Sequence, residues 1–258
     1  MNVLALGDVV GSSGCEALKR HLPSLKKLYQ ADLVIANGEN SADGNGITPA
    51  SANALFDAGV HVITSGNHVF RRREVYDMLD ENPYLLRPAN YPDTAPGKGL
   101  CLIDTGPVTV AVCNVMGVVY LDSLSCPFET ADRLVEQAKA AGAKIILMDV
   151  HAEATSEKKA LAYYLDGRIS ALFGTHTHVI TGDEQILPQG TGYITDLGMT
   201  GPYESVLGVK PALAIARQKD KLPVRFENAT GNVQINGCFF EIDRKTGNSL
   251  QVMSIKVV

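Results

Sequence analysis

Four apolar runs in this sequence end on side chains that bind metal ions well: LALGD at Asp8, VIANGEN at Glu39 and Asn40, VITSGNH at Asn67 and His68, and LMDVH at His151. A fifth run leads into GTHTH and adds His176 and His178. Two carboxylates, two amide oxygens and several imidazoles make a mixed oxygen and nitrogen donor set, which suits borderline divalent ions such as iron, manganese or zinc and fits calcium poorly. His176 and His178 are two residues apart. In an extended segment alternate side chains point the same way, so both rings are expected to reach a pair of ions held about 3.5–4 Å apart, with Glu39 placed to bridge them. Such a pair lowers the pKa of a bridging water toward neutrality and neutralises phosphate oxygens during in-line attack, so a phosphate ester can be hydrolysed without a protein nucleophile. A lone Asp or His at a strand end is usually a cap or a hydrogen-bonded residue. A set of seven, buried without a metal, would leave costly unsatisfied groups.

The elements that must position these residues read as alternating β and α. Residues 2 to 6, 32 to 36 and 61 to 65 look like buried parallel strands, separated by helical spacing near 13 to 29, 48 to 58 and 71 to 80, the first with Leu18, Leu22, Leu25 and Leu28 on its buried stripe. The Pro- and Gly-rich stretch 85 to 99 reads as a long surface loop, and 100 to 103 with 108 to 115 as a hairpin continuing the same sheet. A helix near 128 to 141, a strand at 144 to 150, a helix near 156 to 165 and a strand near 169 to 173 follow, and the last 75 residues read as mostly short β runs. Ligands of an open α/β sheet lie beyond the carboxyl ends of its strands, so the metal-binding side chains should converge there.

At 258 residues, 45% hydrophobic and 20% charged, the chain can bury a full core, and a single domain over 1–258 is expected. No run of 18 apolar residues and no signal-peptide pattern is present, so a soluble, cytoplasmic protein without membrane association is expected. The five cysteines are scattered, without paired C-x-x-C spacing, and read as reduced, mostly buried thiols. A net charge of −5 disfavours a general nucleic-acid binder, so a polyanionic partner must be held by a local positive centre.

The motifs GDVVG, GENSADGNGIT, GNH, DVHAEATSEK, GTHTH and TDLGMTGP resemble, in order and over nearly the whole chain, the calcineurin-like metallophosphoesterases and, more narrowly, their YmdB-like bacterial branch. The resemblance implies an α/β fold of layered mixed β-sheets flanked by helices, with metal ligands at the C-terminal ends of strands. It implies a metal-dependent phosphodiesterase acting on 2′,3′-cyclic nucleotides. Asp8 and His178 would serve one ion with Asn40 completing it, Asn67, His151 and His176 the other, and Glu39 both. The ions would be two divalent or mixed-valence metals, iron first, with manganese or zinc as alternatives. His68 would donate a proton to the leaving oxygen. The implied partner is a small phosphodiester or nucleotide, RNA ends included, and a homo-oligomer is the common assembly for such enzymes. Val10 departs from the superfamily pattern where a metal-binding His is usual, Glu39 where Asp is usual, and Arg71 from the branch pattern where an acidic residue is common.

Other features have plainer readings. Gly7, Gly11 and Gly14 lack the G-x-G-x-x-G spacing and a Walker lysine, and a tight strand-to-helix turn explains them. Arg71, Arg72 and Arg73 read as a solvated helix face, and His21 and His61 as ordinary histidines outside the set. Asp149 and Glu153 flank His151, either to orient its imidazole or to cap the next helix. Two rival functions fit the same residues: a dinuclear hydrolase for phosphomonoesters or another bond, and a metal-binding regulatory protein.

Overall fold

In the computed structural model, which describes all 258 residues, side-chain parity along the strands decides the layers. In β1 (Asn2–Leu6), Val3 and Ala5 face one way while Leu4 and Leu6 face the other, and β3 (Leu33–Asn37) divides Leu33 and Ile35 from Val34 and Ala36 in the same manner. Both faces are apolar, so both must be covered. One side packs under α1 (Gly11–Leu28) and α2 (Pro49–Ala58), and the other meets a second sheet. Helix α2 starts where its sequence says it should: Thr48 accepts from Ser51 N, the Ser51 hydroxyl accepts from Thr48 N, and Pro49 opens the first turn.

The first sheet has seven strands: β1, β3, β4 (Val62–Thr64), β2 (Asp8–Val9), β11 (Met199–Pro202), β12 (Val233–Ile242) and β13 (Ser249–Val257). β1 pairs in parallel with β3 and β3 with β4, while β12 runs antiparallel to β1, β11 and β13. The second sheet has the order β5 (Leu100–Asp104), β6 (Thr109–Met116), β7 (Ile145–His151), β8 (Ala171–Thr175), β10 (Gly192–Ile194) and β9 (Gln185–Ile186). Its outer face is covered by α4 (Pro127–Ala140) and α5 (Thr155–Leu165). The clusters under the two helix layers hold 23 and 19 buried residues and the one between the sheets 18, so the two sheets are joined as firmly as each is to its helices. Each fully buried aliphatic or Phe side chain in these layers contributes about 1.5–3 kcal/mol. No helix is long and apolar enough to cross a membrane.

Several expectations need correction. The hairpin β5–β6 does not extend the first sheet but opens the second, because β6 pairs with β7. Residues 85 to 90 are buried rather than a surface loop: Leu86 N donates to Ile63 O at 2.8 Å, and the Asn90 amide donates to Met116 O at 2.7 Å. Leu28 is 71% exposed, since helical rotation of about 100° per residue carries it about 80° from Leu18 and about 120° from Leu22. The strand expected near 169 to 173 lies two residues later, at Ala171–Thr175. The C-terminal part contains α6 (Pro211–Asp220) and two long strands, β12 and β13, rather than short β runs alone. The helix expected near 71 to 80 is a 3-10 turn, Arg73–Val75, followed by α3 (Tyr76–Glu81). Four of the five cysteines are buried, and Cys126 is exposed.

Candidate metal centre

The parity that sends Val, Ile and Phe into the inter-sheet core also sets what stands at its top. Continuing by twos, β3 reaches Asn37, β4 reaches Thr64, β7 reaches Asp149 and then His151, and β8 reaches Thr175; all five are buried. They form a polar lid on the core. Thr175 Oγ1 donates to Asp149 Oδ1 at 2.7 Å, Thr64 Oγ1 donates to Asp149 Oδ2, and Asn37 Nδ2 reaches Asp149 and Thr175, each at 3.3 Å. Having given its one proton to Asp149, the Thr175 hydroxyl accepts from His151 Nδ1 at 2.9 Å. Nε2 of His151 is thereby turned toward the site.

Above this lid the loops bring the donor atoms together. His151 Nε2 lies 3.0 Å from Asn67 Oδ1, 3.1 Å from His176 Nδ1 and 3.3 Å from Glu39 Oε1. Beside them His178 Nε2 lies 3.6 Å from Asp8 Oδ1 and 3.3 Å from Asn40 Nδ2. Glu39 links the halves: Oε1 is 3.0 Å from Asn40 Nδ2, and Oε2 accepts from His68 N at 2.9 Å. Asp8 Oδ2 accepts from His176 N at 3.0 Å. A Cβ on Gly66 would lie 2.1 Å from Cδ2 of His151, so the glycine before Asn67 is what lets this ring stack on the backbone. All seven candidate ligands and His68 thus meet at the ends of β1, β3, β4, β7 and β8.

The residues present fit a cation. Asp8 Oδ1 is fully buried without a hydrogen-bond partner, with His178 Nε2 3.6 Å away. Glu39, His151 and His176 offer ligand atoms within 4.8 Å of one another. The field also favours positive charge. Burial alone would lower the His151 pKa, but Glu39, Asp8 and Asp149 outweigh it and raise it to about 9. Burial likewise pushes Glu39 up, yet His151 and His68 hold it well below the ordinary carboxylate range. Asp149, pushed up to about 6 by burial, is partly restrained by His151, Thr64 and Thr175. Burial and the neighbouring His151 press His176 down to about 4, a lone-pair donor at neutral pH.

These groups open into a cleft of about 350 Å³. His68 lines it with a quarter of its side chain exposed, Nδ1 held 2.9 Å from Asn40 Oδ1 and Nε2 without a protein partner. Val10 lines the cleft as hydrocarbon. His176 and His178 are not in an extended segment: their φ values are +102° and +63°, so it is a tight left-handed turn that aims one ring at His151 and the other at Asp8. Glu153 does not touch His151; its Oε2 meets His176 Nε2 at 3.0 Å. Neither Asp149 nor Glu153 caps α5.

The sequence profile of the YmdB-like protein family matches residues 4–255. The chain belongs to the YmdB-like family. Among YmdB-like relatives, the 2′,3′-cyclic-nucleotide 2′-phosphodiesterase of Bacillus subtilis (strain 168) is 45% identical over 257 residues, spanning 100% of this chain and 97% of its own. The crystal structure of a novel phosphatase from Mycoplasma pneumoniae superposes with a TM-score of 0.93 at 33% identity, covering 100% of this chain and 93% of that one. A 5′-nucleotidase precursor from Thermus thermophilus, only 12% identical, shares the fold at a TM-score of 0.62 over 100% of this chain and 54% of its own. The architecture is the calcineurin-like α/β fold.

Several residues that shape the YmdB-like site escape reading by motif. Asn37, Thr64 and Thr175 touch no bulk solvent; they lie within VIANGEN, VITSGNH and GTHTH, but only counting by twos from the core gives them their place under the site. Lys158 and Asp196 form a buried ion pair at 2.7 Å, and Asp196 also receives Thr177 N at 3.2 Å and Gly198 N at 2.8 Å, which pins the turn carrying His176 and His178. Asp196 belongs to TDLGMTGP and Lys158, on α5, closes DVHAEATSEK, so both lie in strings that resemble the family, but nothing in those strings pairs one with the other. Arg72 donates to the carbonyls of Asp43 and Asn45, while Arg71 and Arg73 are exposed.

Proposed function

We propose that this chain is a dinuclear-metal phosphodiesterase acting on 2′,3′-cyclic nucleotides, with His68 as the general acid. Family membership and whole-length similarity to a protein named as a phosphodiesterase make it a phosphoric ester hydrolase. The observation that carries the finer reading is the convergence of Asn67, His151, His176 and Glu39 on one point beside the unpartnered Asp8 Oδ1. In this reading Asp8, Asn40 and His178 would hold one ion, Asn67, His151 and His176 the other, and Glu39 would serve both. Iron, manganese and zinc all suit this donor set, iron being the first expectation. Such ions supply Lewis acidity, polarising the phosphoryl group and yielding a nucleophile from water near neutral pH.

The remaining work falls to side chains. The leaving alkoxide is a strong base and needs a proton. His68 can give one from Nε2, while Asn40 Oδ1 and Glu39 hold Nδ1 and the backbone of the same residue. Thr175 and Asp149 keep His151 in one orientation, and Glu153 does the same for the far nitrogen of His176.

The test is hydrolysis of a 2′,3′-cyclic nucleotide by the purified protein, with metals counted by elemental analysis, beside a Glu39→Ala variant. Turnover with two metals per chain, both lost in the variant, supports the reading. Metals without turnover of any diester, or preference for a monoester, would move the chemistry elsewhere, and absence of bound metal would undo it.

A further inference from the structure

The cleft above the metal centre does not end there. It runs on into a groove of about 840 Å³, more than twice its own size, and the two share Gly44, Asn45, Phe226 and Asn228 as a common wall. The groove is lined by the hydroxyl residues Ser12 and Ser13, by the guanidinium groups of Arg72 and Arg225, and by the ring of Phe226. Arg72 spends its Nε and one Nη on backbone carbonyls, which fixes the group without neutralising it. Arg225 is exposed and makes no ion pair or hydrogen bond. Of the two carboxylates of the groove, Glu227 is paired with Lys210 at 2.6 Å, while Asp43 Oδ1 accepts from Ser12 N at 2.9 Å and keeps its charge beside Arg72. Asn228 Nδ2 is buried without a partner, and Phe226 is 48% exposed between cleft and groove.

This chemistry matches a phosphorylated nucleotide better than a bare nucleoside cyclic phosphate. The unengaged guanidinium of Arg225 and the Ser12 hydroxyl are groups that bind phosphate oxygens, and an exposed aromatic ring at the junction is a stacking face for a base. We propose that the groove is a second phosphate subsite, and that the substrate is a 2′,3′-cyclic phosphate whose ribose carries a further phosphate on its 5′ carbon. That chemistry occurs at the 3′ end of an oligoribonucleotide and in a 5′-phosphorylated mononucleotide. The proposal rests on the phosphodiesterase reading above and specifies its substrate.

The experiment compares kcat/KM for adenosine 2′,3′-cyclic phosphate, for its 5′-phosphorylated form and for a hexaribonucleotide ending in a cyclic phosphate, in the wild type, Arg225→Ala and Phe226→Ala. The 5′-phosphorylated substrates are expected to be favoured about tenfold in the wild type, mainly through KM, with the ratio falling toward one in Arg225→Ala. A hexamer better than the mononucleotide identifies RNA ends as the source, and equality identifies the mononucleotide. Binding of a 3′-phosphorylated 2′-O-methyl hexamer, followed by fluorescence anisotropy, should weaken about fivefold or more in Arg225→Ala. Equal use of all three substrates by the wild type, or a ratio unmoved in Arg225→Ala, overturns the subsite while leaving the phosphodiesterase standing. Failure to hydrolyse any cyclic nucleotide would bring down the parent reading and the subsite together.

Discussion

Thr175 Oγ1 lies 2.9 Å from Nδ1 of His151 and gives its own proton to Asp149 at 2.7 Å, so a threonine at the end of one strand sets the ring of a histidine at the end of the next. Thr175→Val keeps the shape and removes the acceptor. Metal affinity should drop about 10–100-fold, read by chelator competition and elemental analysis, with Thr175→Ser restoring most of it. Unchanged metal content at limiting supply would show that packing alone orients His151.

His68→Ala should retain both metals and lose turnover by roughly 10²–10⁴. A substrate with a good leaving group, such as a p-nitrophenyl diester, should lose much less, because its leaving oxygen needs no proton. Full activity toward the cyclic nucleotide would take His68 out of the mechanism.

Removing the metals should cost stability as well as activity, since Asp8 and Glu39 are fully buried and would face each other with only the site's histidines as counter-charges. At an ion concentration about 100 times the Kd the bound state gains about 2.7 kcal/mol, or about 5–10 °C in Tm for a chain of this size. Scanning calorimetry with and without chelator tests this, and an unchanged Tm would contradict it.

Beside Asp196, which holds the turn of His176 and His178, Asp183 accepts from Thr195 N at 3.1 Å and lies 3.6 Å from Lys159 Nζ. Burial pushes this carboxyl up, but hydrogen bonds from Thr195 and Thr181, with Lys159, hold it below its usual 3.8. A depressed folded pKa contributes stability that is present above the unfolded value and lost as pH falls through the folded one. Asp183→Asn should therefore melt below the wild type at neutral pH, and the gap should close in acid below about pH 4. A gap independent of pH would assign the effect to shape rather than charge.

The contrast between what the motifs disclosed and what they hid has a physical basis. Asp8, Asn67 and His178 stand just past apolar runs, where a change from hydrocarbon to donor atoms is visible in a single chain. The polar lid beneath them is invisible at that level, because Asn37, Thr64 and Thr175 become meaningful only when the register between strands is known. The division into two sheets was hidden for a related reason: the β5–β6 hairpin has the same local pattern whichever sheet it joins, and only its pairing with β7 decides. The turn at GTHTH was misread as extended because positive φ at a histidine carries no sequence signature.

Asp8, Glu39 and Asn67 belong to one sheet and His151, His176 and His178 to the other, standing on the polar lid and, beneath it, on a layer of hydrocarbon. The candidate centre is therefore a gauge of how the two sheets are seated. A core substitution such as Phe173→Ala or Ile35→Ala, remote from every donor atom, shifts one jaw of the ligand set against the other and should register as weakened metal retention before it registers as unfolding.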